Sequence, residues 1–311
     1  METINTPNSL LQLIANFPDN DSCIKHYEQV RWSGVPFCPN CGNEKYYIIN
    51  KGKLYKCTNN QCYKRYNAFT GTIFENSKIP FRTWFLAIYI ATNHKKGISS
   101  CQLARDLNIT QKTAWFILSR IREMLKEKAP VMLNNTVEID ETYIGGKISN
   151  KHKKHRALTK MKQGNGSQNK TMVFGLLERE GNVKTIMVDK ANGSTLKPLI
   201  SEIVKEGSTI VTDGFSAYTG LKKQYKHETV NHLKDEYVRG DFHTNSIEGF
   251  WSQLKRGIYG IYHQVSPKHL HRYCDEFSFR YNTRKYSEGQ RFDTALSQSD
   301  KRLTYENLIN G

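Results

Sequence analysis

Long apolar runs are missing from this 311-residue sequence. The strongest, WFLAIYIA from Trp84 to Ala91, is far shorter than the roughly 20 residues that cross a bilayer, so no stretch resembles a membrane-spanning helix. The opening METINTPNSLLQLIANF has no basic stretch ahead of an apolar one, so no secretory leader is read there and a cytoplasmic chain is expected. Seven cysteines are too few for a disulfide scaffold at this length. They are also unevenly spread: Cys38, Cys41, Cys57 and Cys62 share one short segment, whereas Cys23, Cys101 and Cys274 are scattered. Acidic residues are scarce, 29 Asp plus Glu against 46 Lys plus Arg, for a formal net charge of +17. Such an excess favours a polyanionic partner through counterion release, nucleic acid before others; simple solubility is the plainer alternative.

What is present begins with FCPNCGNEKYYIINKGKLYKCTNNQCYKRYN. Two cysteine pairs flank alternating Tyr and Ile residues, a pattern for two thiolate knuckles closed by a hairpin around tetrahedral Zn²⁺. In CPNCG, Pro39 and Gly42 help the backbone turn its amides toward sulfur. The second pair, CTNNQC, has four intervening residues where two are usual, so its loop must bulge. Four reduced thiols without metal are the bland alternative. Zinc here would stabilise a domain too small for its own core, without doing chemistry.

Residues 80 to about 128 read as helical. Pro80 starts a helix whose periodic Trp84, Phe85, Ile88 and Tyr89 end before Gly97. In the following ISSCQLARDLNITQKTAWFILSRIREML, Leu103, Ala104 and Leu107 form a short apolar face and Asn108 lies in the turn. Thr110 then caps a second helix bearing Ala114, Ile117, Leu118 and Ile121. The pair resembles a helix-turn-helix presenting Gln111, Lys112 and Thr113 to a DNA major groove. A plain helical hairpin is the competing reading.

Beyond Pro130 the pattern changes to strands. NTVEIDETYIGG, TMVFGLLERE and VKTIMVDK are strand-like, the last two joined at Gly181 and Asn182 as a hairpin. Residues 194 to 206 carry Leu196, Leu199, Ile200 and Ile203 on one helical face, and STIVTDGFSAY is a buried strand ending at Asp213. That order fits an α/β, ribonuclease H-like mixed sheet flanked by helices, in which a three-strand meander precedes crossover strands. The expected organisation is a helical lead-in (1–34), a zinc ribbon (35–75), a helix-turn-helix region (78–130), the sheet domain (131–290) and a C-terminal tail (291–311). Between the first two strands, residues 151 to 170 hold six Lys, one Arg and two His, a composition for a mobile loop. Leaving just after Asp140, it suggests phosphate contacts from Lys153 and Lys154 rather than a merely solvated loop.

In this fold the carboxyl ends of the first and fourth strands are neighbours and a later helix crosses both. Asp140 and Asp213 would therefore meet, with Glu248 of HTNSIEGFWSQLK facing them. Three converging carboxylates repel unless cations neutralise them. Two divalent ions about 4 Å apart would do so and activate a water or a 3′-hydroxyl for in-line attack on phosphorus. Mg²⁺, or Mn²⁺, suits such an oxygen site. Plainer roles compete: Asp140 as a strand-end residue, Asp213-Gly214 as a turn, and Asn245 with Glu248 as a capping box. Glu141 competes with Asp140, although adjacent strand residues point to opposite faces, and Asp241 competes with Glu248. On the helix, Ile247, Phe250, Trp251, Leu254 and Ile258 form the stripe that packs on the sheet, with Asn245, Glu248, Ser252 and Lys255 alongside. Lys255 and Arg256 are placed for phosphate contact, and His243 and Asn245 for support, Asn245 as helix cap and orienter of Glu248.

VEIDETYIGGK, VTDGFSAY and HTNSIEGFWSQLKRGIYGIYHQVSPKHLHRYCDEFSFRYN resemble the three catalytic blocks of DDE transposases of zinc-ribbon insertion sequences, the ISXO2-like group similar to Merlin elements. GTIFENSKIPFRTW, residues 71–84, resembles that group's junction between ribbon and helices, so the likeness runs from about residue 20 to residue 285. The resemblance implies Asp140, Asp213 and Glu248 as the catalytic triad, with Lys255 as the basic residue after it. Members with Asn in the third place leave Asn245 as an alternative. It further implies binding to double-stranded DNA, both terminal inverted repeats and target, by a homo-oligomer associated with the bacterial nucleoid, followed by metal-dependent cleavage and strand transfer. A nuclease of the same fold and a DNA-binding regulator descended from a transposase are the rival functions.

Overall fold

The computed structural model describes residues 6–50, 52–127, 132–146, 170–230, 238–300 and 302–310. The basic stretch through Asn169, including Lys153 and Lys154, lies outside the described residues. The chain divides into two compact units, Met1–Leu125 with Lys285–Gly311, and Lys126–Arg284.

In the first unit, Ser9 and Asp19 cap helices α1 (Leu10–Asn16) and α2 (Asn20–Trp32), Asp19 through a capping box with Ser22. Strands β1 (Tyr46–Ile49), β2 (Leu54–Cys57) and β3 (Arg65–Tyr66) form an antiparallel sheet whose first two strands are the expected hairpin. Helix α3 (Phe81–Asn93) begins after Pro80 and is buried around most of its circumference, as befits a core helix. Helices α4 (Ser100–Asp106) and α5 (Gln111–Met124) follow, with Asn108 in the left-handed conformation at the turn and Thr110 capping α5 through the Thr113 amide.

The expectation of a tail from residue 291 differs from the structure. Phe292, Ala295 and Leu296, buried at helical spacing, lie on a helix, Glu288–Ser297, that packs on α3 within the first unit. Phe292 meets Phe85 edge-on at 5.2 Å, and Asp293 accepts a bond from His26 at 2.7 Å. Those contacts are long-range in sequence, which is why local pattern did not reveal them.

The second unit is built on β4 (Thr136–Ile144), β5 (Thr171–Glu178), β6 (Val183–Val188), β7 (Thr209–Thr212) and β8 (Lys226–Thr229), in the order β6-β5-β4-β7-β8. The first three strands are an antiparallel meander, and β7 and β8 join in parallel. That is the ribonuclease H-like arrangement expected. Helix α6 (Gly193–Ile203) supplies the crossover into β7, while short 3-10 turns replace a long helix between β7 and β8.

Alternation along the strands divides the core. Val137, Ile139, Phe174, Leu176 and Ile210 cluster with Leu196 and Ile200 of α6. On the other face, Ile144, Val173, Leu177 and Val183 cluster with α7 (Asn245–Gly257) and α8 (Pro267–Asn282). The whole α7 stripe of Ile247, Phe250, Trp251, Leu254 and Ile258 is buried there, as its spacing foretold. A short π-helical turn, Ile258–Tyr262, ends α7.

Gly175 lies opposite Asp140 in the β4–β5 ladder. A methyl group there would stand 2.4 Å from Cζ2 of Trp251 and 3.1 Å from Ile247, so the bare glycine is what lets the indole lie against the sheet. Gly175→Ala is therefore expected to lower stability by about 1–3 kcal/mol through overpacking, visible as a fall in Tm. An unchanged Tm would contradict this packing.

Candidate active site and metal centre

Cys38 and Cys41 come from the loop before β1, Cys57 from the end of β2 and Cys62 from the loop after it. Their sulfurs all lie within 4.8 Å of one another, with Cys38–Cys62 at 3.8 Å and Cys41–Cys57 at 3.6 Å. Zinc–sulfur bonds of about 2.3 Å in a tetrahedron place the sulfurs about 3.8 Å apart, so this donor set fits Zn²⁺. The wide CTNNQC knuckle closes because Asn59 folds it: its carbonyl accepts from the Cys62 amide at 2.9 Å and its side chain from the Gln61 amide at 2.9 Å. The Asn59 amide in turn points at Cys57 Sγ, 3.4 Å away. The Lys64 backbone amide draws the Cys62 thiol down to about 7, favouring the thiolate that binds metal.

The second site is at the carboxyl ends of β4 and β7. The parallel register pairs Thr136 with Thr209 and Glu138 with Val211; continued by two residues, it sets Asp140 beside Asp213. Burial pushes the Asp140 carboxyl up to about 6, and the negative charges of Asp213 and Glu248 add to the rise. Trp251 opposes it by donating its indole N–H to Asp140 Oδ2 at 3.0 Å. Asp213 Oδ1 accepts from the Phe215 amide at 3.0 Å, so the aspartate also makes the turn its Gly neighbour suggested. The charges of Asp213 and Glu248 thus both reach Asp140, and all three side chains offer oxygen donors.

Glu141 divides from Asp140 as strand alternation requires. Its Oε2 accepts from Tyr218 at 2.6 Å, on the α6 side of the sheet. Burial nevertheless lifts it to about 7, with Asp140 and Asp213 contributing, so a fourth carboxylate borders the centre.

At the start of α7 the structure corrects the capping expectation. Asn245 is the first helical residue and is exposed; Thr244 precedes it without capping the helix through its side chain. The Thr244 hydroxyl instead donates to Glu248 Oε1 at 2.8 Å, so Thr244, not Asn245, holds that carboxylate. His243 Nδ1 faces the Asn245 amide at 3.4 Å. The carboxylate that receives the first helical amides is Glu138, from β4, unnoticed in the sequence. A signal existed: Glu138 precedes Asp140 by two residues and so shares its face. Trp251 was read only as packing, and Tyr218 was not singled out.

Of the residues singled out for nucleic acid, Gln111, Lys112 and Arg256 are exposed, while Thr113 and Lys255 are half-buried. The Gln111 side chain donates to Ser100 Oγ at 2.9 Å, tying the start of α5 to α4. Among the described residues no helix is long and apolar enough to cross a membrane.

Together, a four-thiol zinc ribbon and a ribonuclease H-like sheet with clustered carboxylates define a two-part protein of the DDE transposase class. Residues 132–282 match the ISXO2-like transposase domain and residues 18–65 the transposase zinc-ribbon domain, and the chain belongs to this family of insertion-sequence transposases. A protein in transposable element ISH50 of Halobacterium salinarum is 31% identical over 264 residues, covering 81% of this chain and 87% of that one. A transposase-like protein of Haemophilus influenzae is 30% identical over 101 residues, 32% of this chain and 80% of that one. Among solved structures, the Mos1 transposase paired-end complex with left transposon end is similar at 13% identity, covering 74% of this chain and 82% of that one. Its TM-score is 0.30, so the fold assignment rests on strand order and register.

Two expectations follow. The purified chain should carry about one zinc by elemental analysis, lost in Cys57→Ser; retained zinc in that variant would contradict the ligand set. Raised carboxyl groups hold protons in the folded chain that the unfolded chain has released, so Asp140 and Glu141 cost stability as pH rises from about 4 to about 7. With no divalent ion added, Asp140→Asn/Glu141→Gln should therefore gain in Tm over the parent across that window. A difference independent of pH would contradict it.

Proposed function

We propose that the chain binds the terminal inverted repeats of its element, cleaves DNA at the element ends in a metal-dependent reaction, and joins the freed 3′-hydroxyl to target DNA. The observation that carries this reading is the parallel β4–β7 register, which sets Asp140 beside Asp213 within the stretch that matches the ISXO2-like transposase domain, where the charges of Asp213 and Glu248 both reach Asp140. Such a cluster is stable at neutral pH with its charge neutralised, and its oxygen donors fit Mg²⁺ or Mn²⁺. Asp140, Asp213 and Glu248 would hold such an ion, which would supply charge neutralisation and Lewis acidity at the scissile phosphate.

The chain's own groups prepare that site. Trp251 occupies Asp140 Oδ2 and leaves Oδ1 free of that bond, while Thr244 fixes one oxygen of Glu248. Lys255 lies about two turns beyond Glu248 on α7, and with Arg256 it is assigned to phosphates beside the site, as are Lys153 and Lys154 of the basic stretch. The α4–α5 pair is assigned to reading end sequence as a helix-turn-helix, through Gln111, Lys112 and Thr113, with the ribbon as an auxiliary DNA contact. Joining two ends at one target implies a homo-oligomer on paired ends.

Labelled end DNA and its pre-cut form test the reading together. Asp140→Asn, Asp213→Asn and Glu248→Gln should each slow cleavage and joining by about 100-fold or more while end binding persists. Lys112→Ala should weaken end binding and reduce its salt slope or its sequence preference. Hydrolysis without covalent joints from pre-cut ends would favour a nuclease instead, and DNA binding without metal-dependent cleavage a regulator.

A further inference from the structure

The Glu138 side chain is 0% exposed, yet it plays no part in the chemistry proposed above. Two residues before Asp140 on β4, it shares that residue's face of the sheet. Both its oxygens are engaged by protein donors. Oε2 accepts from the backbone amides of Ser246 at 2.9 Å and Ile247 at 3.0 Å. Oε1 accepts from Arg179 Nε at 2.8 Å and Ser246 Oγ at 3.0 Å; His243 Nδ1, which accepts from the Asn245 amide, lies 3.4 Å from it.

These amides belong to the first turn of α7, the helix of Glu248. First-turn N–H groups have no partner within a helix, and the positive end of the helix dipole favours a carboxylate. A helix is ordinarily capped by the residue just before it; here that residue, Thr244, serves Glu248, and a distant strand supplies the cap. Arg179 extends the clamp by donating to the carbonyls of Asp241 and His243, the segment leading into α7. Apolar burial is non-directional, so it fixes the register and rotation of a helix on a sheet less sharply than directed hydrogen bonds do. Glu138 at the first turn and Asp140 receiving Trp251 further along remove both freedoms.

We propose that Glu138 is a positioning residue: by pinning the first turn of α7 to β4 it holds Glu248 at the same metal centre as Asp140. The inference rests on the metal-centre reading above. Glu138 is no ligand itself, because its oxygens are already taken.

Mn²⁺ binding to the full, zinc-loaded chain, followed by electron paramagnetic resonance without DNA, separates positioning from mere stabilisation. A purely structural cap would lower Tm and leave the affinity of the folded chain unchanged. Positioning predicts that Glu138→Gln, measured well below its Tm, weakens Mn²⁺ binding by about tenfold or more, as supporting residues of metal ligands do. It also predicts that Glu138→Gln/Glu248→Gln binds no more weakly than Glu248→Gln alone, since the effect passes through Glu248. Parent-like affinity in Glu138→Gln, or losses that multiply in the double variant, would overturn the inference alone. Parent-like affinity in Glu248→Gln would overturn the metal-centre reading and the inference with it. Should Glu138→Gln fail to fold, Ser246→Ala removes one donor only; a weakening of about two- to fivefold supports the clamp, and no change overturns it.

Discussion

Carboxylates repel, and burial makes the repulsion more costly; the second unit is arranged around that constraint. The parallel pairing of β4 with β7 brings Asp140 to Asp213, and the packing of α7 adds the charge of Glu248. Burial first, and neighbouring carboxylates second, make Asp140 and Glu141 hold their protons more tightly, toward about 6 and about 7. Trp251 and Tyr218 relieve part of the strain with one hydrogen bond each. The fold therefore keeps carboxylates in an arrangement that is unfavourable by itself, a pattern more common at functional sites than among ordinary surface acids.

The thiol group and the proposed carboxylate centre divide along lines of donor chemistry. Four thiols at tetrahedral spacing suit zinc and tie together the loops of a three-stranded ribbon. The oxygen cluster suits a hard, partly hydrated cation. Glu138 belongs to neither group. Its charge is satisfied entirely by protein, and its effect is geometric.

Much of this was legible because it depends on local period. Strand alternation and the β-rich runs gave the meander, and the stripe from Ile247 to Ile258 gave the buried face of α7. Cysteine spacing gave the ribbon, even with its widened second knuckle. What escaped depends on contacts far apart in the chain. The helix bearing Phe292 gains its place from Phe85 and His26, more than two hundred residues away. Asn245 looked like a cap from its neighbours alone, whereas the true acceptor is a strand glutamate more than one hundred residues upstream. Nothing in the local pattern marks Gly175; the need for a glycine there comes from Trp251, packed against it from α7.

The most direct test of a shared cation at the sheet's edge is anomalous diffraction from crystals of the full chain soaked in Mn²⁺. The account predicts manganese density within bonding reach of Asp140, Asp213 and Glu248, at oxygen distances of about 2.0–2.3 Å. Carboxylates that remain without manganese while the ion binds elsewhere on the chain would contradict it.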